Sequence, residues 1–167
     1  AQTMLMVTLS AIILGTTGYL LTPVSLELLG VAPDVYENAL GFMRVSFIGI
    51  IFVFIYAMFQ ALMRGVGQTR IPLLIVLFTV ILNFILDPLF IYGWGMIPPQ
   101  GVMGAAFATL VTQALAAACG IIIFLRGQHG IKLSWRGFRP DLSYIKRAFL
   151  LGFPGSVELS TRGFGLM

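Results

Sequence analysis

The chain has 167 residues, 59% of them apolar and only 10% charged, with a net charge of +4 and a mean hydropathy of +1.00. That balance excludes an ordinary water-soluble domain. It leaves enough chain for four or five helices across ~30 Å of hydrocarbon, at roughly 20 apolar residues each. We therefore expect an all-α membrane protein, a polytopic transmembrane helical bundle, in which the single Cys119 forms no internal disulfide and packs as a small residue.

Five apolar segments follow one another: Met4 to Leu21, Ala39 to Met63, Ile71 to Tyr92, Val102 to Leu125, and a short run from Ala148. The first has no basic flank and is too long for the core of a signal peptide. The last stops at Met167 inside its apolar run, so the chain reads as a piece of a longer protein. Few faces are polar, which argues against amphipathic helices at the surface of a soluble fold.

The joints between segments set the expected topology. The first, "GVAPDVYEN", carries Asp34 and Glu37 but no Lys or Arg, and the second, "RGVGQTR", carries Arg64 and Arg70. The third, "GWGMIPPQG", is uncharged, and the fourth, residues 126–147, carries Arg126, Lys132, Arg136, Arg139, Lys146 and Arg147. Basic and non-basic joints alternate, as the positive-inside rule demands, so the first segment runs from the cytosol outward and its successors return in turn. Tyr92 and Trp94 then fall at an outer aromatic belt. The basic residues are accounted for by topology and by anionic lipid heads, and no nucleic-acid partner is expected. We expect residues 1–125 to form one lobe of four spans, 126–147 a basic cytosolic linker, and 148–167 the start of a further helix.

The third segment interrupts its apolar run with Thr79, Asn83 and Asp87, spaced by four and therefore on one helical face. Pro88 follows and cannot donate to the carbonyl of Phe84, which opens and bends the backbone beside the acid. The fourth segment carries a stripe of small residues, Gly104, Ala108, Thr112, Ala116 and Gly120, which lets another helix approach closely, and a neighbouring stripe with Thr109 and Gln113. Counted at about 1.5 Å per residue, Asp87 and Thr109 share one depth and Asn83 and Gln113 another. By the same count Arg44 of the second segment reaches the depth of Asp87. Two readings of the acid stay open: a structural Arg44–Asp87 ion pair, or a carboxylate that meets water and binds a proton or cation.

Other signals are weaker. The Gly-x-Gly of the second joint lacks a preceding strand and a Walker lysine, and His129 has no ligand at metal spacing, so neither nucleotide nor metal is expected. Hydrolase motifs and paired carboxylates are absent, so no catalytic residue is nominated and the protein is not expected to be an enzyme.

The stretch "ALMRGVGQTRIPLLIVLFTVILNFILDPLFIYGWGMIPPQGVMGAAFATLVTQ" resembles the multidrug and toxic compound extrusion (MATE) transporters. It carries an Arg-Gly-x-Gly-x-Thr-Arg-x-Pro turn, an Asn-x-x-x-Asp-Pro helix and a Gly-x-x-Gly-Ala-Ala-x-Ala-Thr helix, in that order. "FMRV" and "LGFPGSVELS" extend the likeness over the chain. The resemblance implies a two-lobe, twelve-helix antiporter of the bacterial inner membrane. Such a protein exports cationic or amphipathic drugs in exchange for H+ or Na+, and needs no other cofactor. On that map the five segments are helices three to six and the start of helix seven, and the partners are the lipid bilayer and the remaining helices of the same transporter.

The same resemblance implies a proton or cation site at Asp87, Asn83 and Thr109, and a substrate cavity touching Gln60, Asn83 and Gln113, beside which Thr79 lies on the polar stripe. Glu158 could face a second cavity, but Arg162 falls where some members place a sodium-binding carboxylate. The rivals are a flippase of related fold carrying a lipid-linked precursor, disfavoured because Arg44 is the one cation within the second to fourth segments, and a scaffold subunit that does not transport.

Overall fold

Four long helices make up the described part of the computed structural model, which covers residues 2–93 and 98–127 and the scattered positions 143, 146–148, 150, 152 and 161. They are α1 (Gln2–Leu28), α2 (Pro33–Gly65), α3 (Arg70–Tyr92) and α4 (Val102–Arg126). All four are long and apolar enough to cross a membrane, and no strand occurs among the described residues. The basic joint beyond Gly127 and the fifth segment, with Glu158 and Arg162, lie almost wholly outside the described residues, as does Trp94.

The helices end where glycine allows a left-handed turn. Gly30, at φ 65°, lets its own N–H bond to the Glu27 carbonyl and the Val31 N–H reach back to Leu26, so the last carbonyls of α1 are satisfied. Gly67, at φ 76°, repeats the arrangement after α2, with Gln68 donating to Met63 at 2.9 Å. Pro33 then opens α2 with a preset φ, and Asp34 complements the positive end of the helix dipole. Between α3 and α4 the chain folds back on itself, Gln100 and Gly101 donating to the Phe90 and Ile91 carbonyls.

Two helices run further than their apolar segments. α1 continues beyond Leu21 through Pro23, with Thr22 Oγ1 donating to the Gly18 carbonyl at 2.7 Å and Ser25 Oγ to Leu21 at 3.0 Å. α2 starts at Pro33, ahead of Ala39, because its first turn needs only the proline and a polar surface, not apolar side chains.

In space the helices stand in the order α1, α2, α4, α3. α4 packs against both α2 and α3, whereas α2 and α3, neighbours in sequence, hardly touch. Close approach depends on missing side chains. A Cβ at Gly18 would strike the Phe47 ring, one at Gly104 would strike the Phe90 carbonyl and lie 2.8 Å from the Ile91 nitrogen, and one at Gly120 would lie 2.9 Å from Phe59 Cγ. A buried cluster joins Met58, Phe59 and Met63 of α2 to Phe124 of α4, with the Phe59 and Phe124 rings edge to face at 5.2 Å. Outside these seams the apolar surface is bare: Phe84 of α3 is 81% exposed, and Pro72 is the one buried residue of that helix.

Candidate functional site

Because α4 separates α2 from α3 over most of their length, a wedge of space is left between them, and α4 forms its floor. This cavity measures about 340 Å³, within the ~300–1,000 Å³ range of small-molecule pockets. Its walls bring together Gln60 from α2, Thr79 and Asn83 from α3, and Thr109 and Gln113 from α4. These are five of the polar residues nominated from the sequence. Tyr56 and Thr112 join them, and Val53, Ala57, Val80 and Ala116 supply apolar wall between.

The hydroxyl protons of Tyr56, Thr79 and Thr112 are already committed, while the carboxamides of Gln60, Asn83 and Gln113 bring both donors and acceptors. Thr79 Oγ1 donates to the Ile75 and Val76 carbonyls at 2.9 and 3.0 Å, and Thr112 Oγ1 to Ala108 and Thr109 at 3.1 and 2.9 Å. A hydroxyl has one proton, so both threonines offer a guest oxygen lone pairs only. Tyr56 likewise gives its proton to the Pro72 carbonyl at 2.8 Å, one of the few direct ties between α2 and α3. Among the described residues, no Lys or Arg lines the cavity.

Asp87 does not line the cavity. It sits half-buried one turn beyond Asn83, whose Nδ2 donates to Asp87 Oδ1 at 3.3 Å, so the carboxylate communicates with the cavity through that amide. α3 runs on through Pro88 to Tyr92, and Pro88 offers no N–H to the Phe84 carbonyl one turn behind.

The Arg44–Asp87 pair, one of the two readings of the acid, is not formed. Among the described residues no ion pair links them. The Arg44 guanidinium carbon instead lies 5.0 Å from the centroid of the Tyr19 ring on α1, with its Nε buried and without a hydrogen-bond partner. The reason is azimuth rather than depth: α2 turns the Arg44 face toward α1, and α3 stands beyond α4. No group of His, Cys, Asp or Glu capable of holding a metal ion occurs among the described residues.

Tyr56 and Thr112 are cavity residues that the sequence does not single out. Tyr56 precedes Gln60 by four and so shares its face, a signal easily taken for aromatic packing. Thr112 falls in the stripe of small residues, and it serves both roles, being buried at the seam and lining the cavity.

Comparison with known proteins agrees with this architecture. The family model described as MatE matches residues 1–89, more than half of the chain. The chain belongs to the MatE family. Among its relatives, the probable multidrug resistance protein NorM of Thermotoga maritima is 32% identical over 154 residues, covering 89% of this chain and 32% of that protein. The probable multidrug resistance protein YpnP of Bacillus subtilis is 32% identical over 112 residues, covering 67% of this chain and 24% of its own length. A solved structure, the inward-facing conformation of a multidrug resistance MATE family transporter of the MOP superfamily, superposes with a TM-score of 0.70 at 27% identity. It covers 88% of this chain and 34% of that one. This MatE chain thus spans about a quarter to a third of the length of the curated relatives it matches.

Proposed function

We propose that this MatE chain supplies part of a secondary transporter that exports cationic or amphipathic compounds across the bacterial inner membrane in exchange for H+ or Na+. One observation carries the reading: an uncharged cavity lined by amides and hydroxyls between three membrane-length helices, tied through Asn83 to a half-buried carboxylate at Asp87. Such a cavity, with no Lys or Arg among the described residues of its lining, meets a positively charged guest without like-charge repulsion, and the Thr79 and Thr112 oxygens can accept from its donors.

In this mechanism Asp87 takes a proton or cation from the outer side, with Asn83 hydrogen-bonded to it and Thr109 in the cavity wall that Asn83 shares. Neutralising the carboxylate weakens the charge-assisted bond from the Asn83 amide and frees Asn83 to turn toward the cavity. α3, which leans on α4 and scarcely on α2, is the element free to shift, and the shift favours one of two arrangements of the lobe. Coupling runs both ways: a cationic guest weakens binding of the exchanged ion by the same factor as the ion weakens binding of the guest.

The test is ethidium efflux from cells expressing the full-length protein with Asp87→Asn. We expect efflux to fall at least about tenfold while the amount of protein in the membrane holds. Efflux at the parent rate would leave Asp87 a structural residue and remove the coupling mechanism.

A further inference from the structure

A second, smaller cavity of about 140 Å³ opens between α2 and α4. It shares Val53, Thr109 and Gln113 with the larger one, so the two are chambers of one space divided by those side chains. Its own walls include Phe42, Val45 and Leu110. The serine there, Ser46, donates its proton to the Phe42 carbonyl at 2.8 Å and offers a guest no donor. The large chamber is tied through Asn83 to a carboxylate, while the small one is narrower and takes its apolar wall from Phe42, Val45, Val53, Ala106 and Leu110, with Ser46, Thr109 and Gln113 among them. For scale, an apolar protein cavity of ~150 Å³ takes up benzene.

The dividing wall depends on Gly49. A Cβ built there would lie 3.2 Å from Gln113 Oε1 and 3.4 Å from Leu110 Cδ1, so one methyl group would crowd the partition and touch the far wall. Gly49 is buried and lines the small chamber. The glycine thereby sets both the bore of the chamber and the resting place of the Gln113 carboxamide at its mouth.

We infer that the small chamber is a side pocket for one slim apolar arm of the cargo, a short alkyl chain or a single aromatic ring. The cationic head stays in the large chamber, and Gly49 and Leu110 set the size of arm accepted. The inference rests on the transporter reading and deepens it: the preferred cargo is an ammonium-type cation with one such arm. Bulkier multi-ring cations must leave that chamber empty.

The experiment uses the full-length protein and an ammonium series with a constant head: tetramethylammonium, butyltrimethylammonium and benzyltrimethylammonium. Each is measured as a competitor of ethidium efflux and, by calorimetry, as a ligand of the purified protein. Gly49→Ala should cut the preference for the benzyl compound over tetramethylammonium by about tenfold, the effect expected when roughly a methylene's worth of apolar pocket is filled. Leu110→Ala should act oppositely and admit naphthylmethyltrimethylammonium, with a similar gain relative to tetramethylammonium. Because the two variants move the ratio in opposite directions, a folding defect in one cannot imitate the result. Ratios unchanged in both variants, or moved the same way in both, overturn the side pocket even if the parent pumps ethidium. Arm-dependent binding that follows the pattern in a parent that pumps nothing upholds the pocket and overturns the transporter reading.

Discussion

Asn83 stands between the acid and the cavity, donating to the Asp87 carboxylate at 3.3 Å and lining the cavity. If the pair acts as a unit, Asn83→Leu should lower efflux about as far as Asp87→Asn, and the double variant should be no worse than either alone, since groups that work together lose activity non-additively. Multiplied losses in the double variant, read in the same ethidium assay, would mean that they act independently. The pair is legible in the sequence because two polar residues four apart in an otherwise apolar helix have little else to explain them. Arg44 misleads, because counting residues gives depth along a helix but not which neighbour its face meets. Its guanidinium packs over Tyr19, on the side of α2 away from the acid.

At the scale of the helices, the seam between α3 and α4 is a backbone contact. A Cβ at Gly104 would meet the Phe90 carbonyl and the Ile91 nitrogen, neither of which can swing aside as a side chain would. Gly104→Ala should therefore destabilise the full-length protein by about 1–3 kcal/mol, read as a lower midpoint of thermal unfolding in detergent. Gly65, at the end of α2, has nothing within 4 Å of where a Cβ would stand and is the control: Gly65→Ala should be neutral or stabilise by up to ~1 kcal/mol. The stripe of small residues on α4 announces close packing in the sequence, and four helices of membrane length are legible from hydropathy alone. What the stripe cannot announce is its partners. It meets α3 at Gly104 and α2 at Gly120, because the order of helices in space is decided by contacts distant in sequence. The extension of α1 past Pro23 is equally hidden, since a proline after an apolar run reads as a stop.

Across the whole molecule, α3 is held along its length by α4 and near its first turn by the Tyr56–Pro72 bond. Tyr56→Phe removes that bond while keeping the ring, which stacks on Phe59 at 5.9 Å. We expect a loss of about 0.5–1.5 kcal/mol. Hydrogen exchange should quicken at the amides of the first turns of α3, and not at those near Tyr92. Uniform exchange along α3 would mean that the tyrosine is no anchor.

The interleaved order α1, α2, α4, α3 also bears on how such a chain is made. Synthesis delivers α3 to the bilayer before α4, yet among the described helices α4 is its main neighbour, so within this set α3 lacks its close companion until residues 93–101 and a further span have been released. Assembly of this lobe is accordingly a wedging step, in which a late-arriving span slides between two that are already embedded. Slowing translation just after Tyr92 should lengthen the life of the unwedged intermediate and its exposure to membrane quality-control proteases.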